Sequence, residues 1–133
     1  MRQGPNVLFR VEANPRIGLG HLQRCLSLAA ALQREGARCL FVGQDNLTVH
    51  GKLEASGCEW LGLGRAETGG DEDLQQTLQA VAHHRCHIVV VDSYEVGDGY
   101  IAELRKRGLL TVVIDDLGRA SLDCHLIINS GAH

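Results

Sequence analysis

The sequence has few of the features that mark nucleic-acid-binding or membrane proteins. Its 133 residues include only one Trp, two Tyr and two Phe, and its 13 basic residues form no run. Sixteen acidic residues bring the net charge to −3, which argues against electrostatic binding to nucleic acid or to a membrane surface. No apolar run approaches the roughly 18 residues that span a bilayer, and the first residues do not resemble a signal peptide. We therefore expect a cytoplasmic protein.

Paired cysteines are also missing. The chain has five widely spaced cysteines and no CxxC pair. They are Cys25, Cys39, Cys58, Cys86 and Cys124. This pattern predicts reduced, buried thiols in a reducing compartment and favours neither a disulfide scaffold nor a zinc ribbon.

Three histidines and a cysteine come together where a predicted helix meets a predicted strand. They are His83, His84, Cys86 and His87. Because no second cluster elsewhere has matching ligand spacing, we expect a polar helix end here and no metal site.

Short β-branched apolar runs alternate with longer segments whose apolar residues recur at helical spacing, which predicts a parallel α/β sheet in one domain over residues 1–133. The predicted strands are Val7 to Glu12, Cys39 to Val42, Cys58 to Leu61, His87 to Asp92, Leu110 to Asp115 and Leu126 to Asn129. The predicted helices are a stripe from Leu22 to Leu32, then Leu47 to Ser56, Asp71 to His84 and Asp98 to Arg107. Right-handed crossovers give an open, mostly parallel sheet of order 3-2-1-4-5-6 with helices on both faces.

Ligands of such sheets bind beyond the carboxyl ends of the strands, at the point where the strand order reverses. In the predicted order this point lies between the first and fourth strands. Residues 13–21 and 92–94 then face each other there, and the functional site is expected between them.

A glycine-containing turn follows the first predicted strand. Gly18 and Gly20 let a ligand approach the backbone, and the free N–H groups of a helix start attract anions. The turn is a poor match to the dinucleotide fingerprint GxGxxG, because its third position is Gln23. The segment favours a phosphate or a sugar hydroxyl over a nicotinamide cofactor, and we expect no cofactor.

His21 lies at the predicted helix start, where the positive end of the helix dipole favours the neutral imidazole. A neutral imidazole can accept a proton from water and so suits a general base. The alternative is a histidine that only hydrogen-bonds the turn. Arg24 lies one turn later on the same face and either orients a ligand oxygen or carboxylate near the base or is a solvated surface arginine.

Polar residues follow the fourth predicted strand, opposite the glycine turn. Asp92 can orient His21 or bind a sugar hydroxyl, and Tyr94 can cover the sugar or donate a hydrogen bond. The alternative is that Asp92 caps the loop and Tyr94 packs against it. Asp115 and Asp116 end the fifth strand, further from the reversal point, and are interpreted as structural.

The order and spacing of several short segments resemble a known family. These segments are Val7 to Arg10, Gly18 to Leu26, Val91 to Tyr94, Ile114 to Asp116 and Asp123 to Asn129. Together they resemble the nucleotide-sugar hydrolases of pseudaminic acid biosynthesis, which remove UDP from UDP-2,4-diacetamido-2,4,6-trideoxy-β-L-altropyranose. The resemblance extends over nearly the whole chain.

The resemblance implies the architecture of B-type glycosyltransferases, in which two Rossmann-like domains face each other across a cleft. This chain corresponds to the amino-terminal domain, and the nucleotide-binding domain has no counterpart in it. The resemblance implies that His21 is the base for water attacking the anomeric carbon and that Tyr94 holds the sugar or the water. Substrate-binding residues are expected at Gly18, Gly20, Arg24 and Asp92, with no metal.

Three hypotheses about function remain. The first is a sugar-side, base-bearing domain of a UDP-sugar hydrolase, whose partners are the UDP-linked diacetamido sugar and a complementary nucleotide-binding domain or chain. The second is the acceptor-binding domain of a B-type glycosyltransferase. The third is a non-catalytic sugar-binding domain.

Overall fold

Strands and helices alternate along the chain, as the sequence pattern predicts. The structure is a computed structural model that describes residues 4–12, 20–44, 47–64, 67–93, 95–114 and 126–128, without the side chains of positions 21, 47, 48 and 126–128. The strands are β1 (Asn6–Val11), β2 (Arg38–Gly43), β3 (Glu59–Gly62), β4 (Ile88–Asp92), β5 (Leu110–Ile114) and β6 (Leu126–Ile128). The helices are α1 (Gly20–Arg34), α2 (Leu47–Ser56), α3 (Asp71–His83) and α4 (Asp98–Lys106).

The six strands form one sheet of order β3-β2-β1-β4-β5-β6, in which every neighbouring pair is parallel. The predicted strand order is confirmed. In the register of the central strand, Phe9 stands opposite Phe41 of β2 on one side and Val90 of β4 on the other. The order reverses between β1 and β4, where the sequence places the site.

Helices cover both faces of the sheet. Phe9 and the other β1 side chains on the same face of the sheet pack against residues of α1 and α2 such as Leu22 and Leu53. The Phe9 ring stacks on Phe41 with centroids 4.7 Å apart. Leu8 points to the opposite face, toward residues of α3 and α4 such as Ile101. Because both faces are buried, the central strands are nearly continuous apolar runs.

The observed element bounds differ from the predicted ones by a residue or two. Helix α1 begins at Gly20, two residues before the first apolar position of its stripe. Strand β3 begins one residue later than predicted, because the Cys58 N–H donates to the Leu53 carbonyl and closes the end of α2. The predicted strand ends at Asp115 and Asn129 lie outside the described residues.

The described cysteines are free thiols. Cys25, Cys39 and Cys86 are buried, Cys58 is partly exposed, and Cys124 lies outside the described residues. Burial raises the pKa of Cys39 and of Cys86 to about 11, so both are protonated near neutral pH. None of the helices described is long and apolar enough to cross a membrane.

Candidate functional site

The site lies at the carboxyl ends of β1 and β4. The parallel pairing of β1 with β4 extends one residue past the end of β1, because the Glu12 N–H donates to the Asp92 carbonyl at 3.1 Å. Helix α1 begins at Gly20 on the same side of the molecule, after the segment that leaves β1. The polar ends of two neighbouring strands and a helix start therefore meet at one edge, which is the usual ligand position in an open parallel sheet.

Arg24 and Asp92 form a two-point ion pair at this edge. Nε of Arg24 donates to Oδ2 of Asp92 at 2.9 Å, and Nη2 donates to Oδ1 at 2.8 Å. The Asp92 side chain is 1% exposed, whereas that of Arg24 is 24% exposed. The pair is thus covered on the sheet side and open to water on the arginine side, where a ligand oxygen can meet the guanidinium group.

Cys25 also contacts Asp92. Its thiol donates to Oδ2 of Asp92 at 3.3 Å, from the buried side of α1. Burial, with the nearby Asp92 carboxylate, raises the pKa of the Cys25 thiol, so the sulfur stays protonated and acts as a donor. This thiol is therefore a structural neighbour of the carboxylate and no nucleophile.

A second polar pair lies at the same edge, on the opposite face of the sheet. The Ser93 hydroxyl donates to Oε2 of Glu12, and both side chains are buried. The Glu95 N–H in turn donates to the Ser93 oxygen at 3.2 Å. Ser93 thus anchors the turn after β4.

A third polar cluster lies on the same face of the sheet as Glu12 and Ser93, further from the carboxyl ends of the strands. Arg10 and Asp73 form a two-point ion pair, with Nε to Oδ1 at 3.1 Å and Nη2 to Oδ2 at 2.7 Å, and both side chains are buried. The Nη1 group of Arg10 donates to the Val11 carbonyl at 2.6 Å. The pair therefore joins the start of α3 to the end of β1.

The remaining lone pairs of the Asp73 carboxylate are also occupied. The Tyr100 hydroxyl donates to Oδ1 at 2.7 Å, Thr77 donates to Oδ1 at 3.2 Å, and the Gly69 N–H donates to Oδ2 at 2.7 Å. Burial alone would raise the pKa of Asp73, but the hydrogen bonds and charge of Arg10, with the Gly69 N–H, hold that pKa below its ordinary value. Asp73 is therefore a charged structural centre.

The structure brings two of the residues expected at the site into direct contact, Arg24 and Asp92. Gly20 is the first residue of α1, is exposed, and has open space where a side chain would begin. The backbone of His21 is the second position of α1, and its side chain lies outside the described residues. Gly18 and Tyr94 also lie outside the described residues.

Sequence reasoning missed Glu12, Ser93 and the Arg10–Asp73 pair. A signal for the last was present, because Arg10 interrupts an apolar strand at a position that must face a helix layer. A buried arginine requires an acidic partner, although nothing local identifies it as Asp73.

Over the described ranges, no three His, Cys, Asp or Glu side chains converge in a way that could hold a metal ion. The described part of the edge offers hydrogen-bond donors from a partly exposed guanidinium group and from a glycine-bearing helix start. Such a surface suits an oxygen-rich ligand.

The fold and site define the chain as a Rossmann-like α/β domain with its polar site at the reversal of strand order. No protein-family model and no curated protein sequence matches the chain. Among solved structures it is similar to Acinetobacter baumannii MurG, with a TM-score of 0.69 and 10% identity over 98% of this chain and 47% of MurG. It is also similar to a variant of a Serratia marcescens short-chain dehydrogenase/reductase, with a TM-score of 0.57 and 16% identity over 91% of this chain and 59% of that one.

At these identities the likenesses concern the fold alone. The MurG likeness confirms the expected fold class, a Rossmann-like domain of the kind found in B-type glycosyltransferases. This chain spans about half the length of MurG.

Proposed function

We propose that this chain is the sugar-side, base-bearing domain of a UDP-sugar hydrolase that cleaves the anomeric C–O bond of a UDP-linked 2,4-diacetamido-2,4,6-trideoxyhexose. The observation that carries the proposal is the Arg24–Asp92 pair, open to water on its arginine side and set at the carboxyl end of the sheet. This edge takes the ligand in open parallel sheets. The sequence pattern around His21 supports the assignment of a base to the same helix.

In the proposed reaction a water molecule attacks the anomeric carbon. Its oxygen forms the new C–O bond, the bond from that carbon to the diphosphate oxygen breaks, and UDP leaves with the bonding electron pair. His21, the second residue of α1, takes the proton from the water. Arg24, fixed by Asp92, orients a sugar oxygen or acetamido carbonyl, and Gly20 leaves room for the sugar to approach. Tyr94 follows the Ser93 anchor and contacts the sugar or the water.

The uridine diphosphate is assigned to a complementary domain, in the same chain or in another. This chain alone is then expected to bind UDP weakly or not at all. Calorimetric titration of the 133-residue chain with UDP tests this point. Micromolar affinity would contradict the assignment of the nucleotide to another domain.

The role of His21 is tested with His21→Asn in an enzyme that includes the complementary domain. Asparagine is well tolerated near a helix start, so the fold should persist. The rate of UDP release at saturation should fall by about 10² or more, because the proton acceptor is lost. KM should change less than kcat, since the nucleotide contacts are elsewhere.

A matched control is His87→Asn, which changes an exposed histidine just before β4 at the opposite edge of the sheet. It should leave UDP release unchanged. Turnover near that of the unmodified enzyme in His21→Asn would make this histidine a structural residue of the turn.

The second candidate is the acceptor-binding domain of a B-type glycosyltransferase, and the likeness to MurG is compatible with it. In that case the same edge holds a sugar acceptor, and the base deprotonates its hydroxyl. Product analysis separates the two candidates. A hydrolase yields free sugar with no acceptor present, whereas a transferase yields a glycosylated acceptor. Sugar binding without turnover, even with the second domain supplied, would favour a non-catalytic sugar-binding domain.

A further inference from the structure

Helix α3 ends differently from the other described helices. Helices α1, α2 and α4 are each followed, within two residues of their last residue, by a glycine with positive φ, namely Gly36, Gly57 and Gly108. Helix α3 is followed instead by Arg85, whose φ is 54°, with the Cys86 N–H donating to the Val81 carbonyl as in a Schellman motif. Glycine adopts this conformation freely, whereas arginine does so at a cost. A residue held in such a conformation is a starting point for a functional hypothesis.

Arg85 lines a cavity at the amino ends of β1, β2 and β4. The cavity has a volume of about 320 Å³, within the range of small-molecule sites. Arg38, His83 and His84 also line it. The cavity lies at the opposite edge of the sheet from Asp92, so what it binds is independent of the function proposed above.

The cavity is positively charged although the chain as a whole carries −3. Arg38 and Arg85 are permanently charged, and among the described residues Glu59 is the single carboxylate that lines the cavity. The contacts of Glu59 are long, 3.6 Å from Oε1 to Nη2 of Arg38 and 3.7 Å from Oε2 to Nδ1 of His84. The side chains of Glu59 and Arg38 are 55% and 74% exposed, so water reaches both.

Arg85 has no acidic partner within the described part of the chain. Two guanidinium groups and two imidazole rings offer many N–H donors, and the one described carboxylate beside them, Glu59, meets Arg38 and His84 only at 3.6 and 3.7 Å. Guanidinium groups bind phosphate oxygens through two parallel hydrogen bonds, and the two arginines together with Glu59 leave a net positive charge that an anion can balance.

We propose that this cavity binds a small phosphate monoester. The phosphate contacts Arg38 and Arg85, and the imidazole N–H groups of His83 and His84 donate to its remaining oxygens. The carbon skeleton of the ester occupies the rest of the cavity. The cluster of histidines at the end of α3 is then part of an anion site.

The proposal is tested by calorimetric titration of the 133-residue chain with inorganic phosphate and with glycerol 3-phosphate. Glycerol 3-phosphate should bind more tightly than inorganic phosphate, because its carbon skeleton also contacts the cavity. Equal affinities would overturn the monoester assignment, and no saturable binding of either probe at millimolar concentration would overturn the site itself.

Arg85→Gly separates an effect on binding from an effect on folding, because the variant should bind the phosphate more weakly and yet be more stable. The variant should bind glycerol 3-phosphate about tenfold or more weakly, since a charged hydrogen-bond donor is lost. Its melting temperature should rise, since glycine relieves the left-handed conformation. An unchanged affinity would overturn the proposal.

Two further variants act as controls. Arg107→Gln removes the same charge from the end of α4, away from the cavity, and should leave the affinity unchanged. Glu59→Gln removes the competing carboxylate and should tighten binding severalfold. Weaker binding in Glu59→Gln, or a loss in Arg107→Gln equal to that in Arg85→Gly, would contradict the proposed site.

Discussion

Two arginine–aspartate pairs lie on opposite faces of the same sheet and differ in their access to water. Arg10–Asp73 is 1% and 0% exposed, and its carboxylate is surrounded by donors from Tyr100, Thr77 and Gly69. Arg24–Asp92 has similar hydrogen-bond distances, but its arginine is a quarter exposed. Similar geometry therefore occurs in two environments. The enclosed pair is cut off from water, whereas the open pair leaves part of its guanidinium group in contact with water.

The enclosed pair also joins the elements that surround the site. It connects the end of β1 with the first turn of α3, and Tyr100 adds the first turn of α4. These contacts fix the loops at the carboxyl edge on the face opposite α1.

The largest expected effect in this comparison follows from Asp73→Ala. The substitution leaves the Arg10 guanidinium group buried without its counter-ion, and breaking a buried pair in this way costs about 3–5 kcal/mol. Urea denaturation of the two proteins measures the loss of unfolding free energy. Asp71→Ala removes an exposed carboxylate from the same helix turn and should cost far less. Equal losses in the two variants would show that the enclosed pair does not stabilise the fold.

The second-largest effect is expected at acid pH, where the enclosed pair should be weakened. The pKa of Asp73 is lowered in the folded chain by the hydrogen bonds and charge of Arg10, despite burial. The resulting stabilisation is fully present above the unfolded value of about 3.9 and is lost as pH falls through the lower folded value. The unfolding free energy should therefore decrease below about pH 4. In Asp73→Asn this decrease should be shallower, and identical pH profiles would contradict the assigned charge.

A smaller effect is expected from Arg24→Met. Arg24 lies partly in water, so solvent can reach Asp92 once the guanidinium group is gone, and the Cys25 thiol still donates to the carboxylate. We expect a loss of about 1–2 kcal/mol in unfolding free energy, by the same urea measurement. A loss as large as that of Asp73→Ala would mean that the open pair is as structural as the enclosed one.

The sequence predicted the sheet well because its signal is repeated in every strand. Apolar runs and helical stripes indicated each element, and the right-handed crossover rule then fixed the order that is observed. Element ends were less well predicted, because capping contacts such as Cys58 to Leu53 decide them. The strand order brought the segment after β1 to the end of β4, but the pairing of Arg24 with Asp92 itself was not predicted. The Arg10–Asp73 pair was not predicted either, because packing of distant helices selects the partner.

The place of β1 in the middle of the sheet has a consequence for how the chain acquires its structure. Its β2 partner follows after a single helix, but Val7 must also pair with Ile88, which lies beyond two further helices and a strand. Such distant pairing carries a loop-closure cost before any contact is gained, and it slows folding. One edge of the central strand therefore stays open while the chain emerges from the ribosome, until β4 has been synthesised. During that interval the apolar edge is exposed to pairing with other chains, so slow docking of β4 favours aggregation.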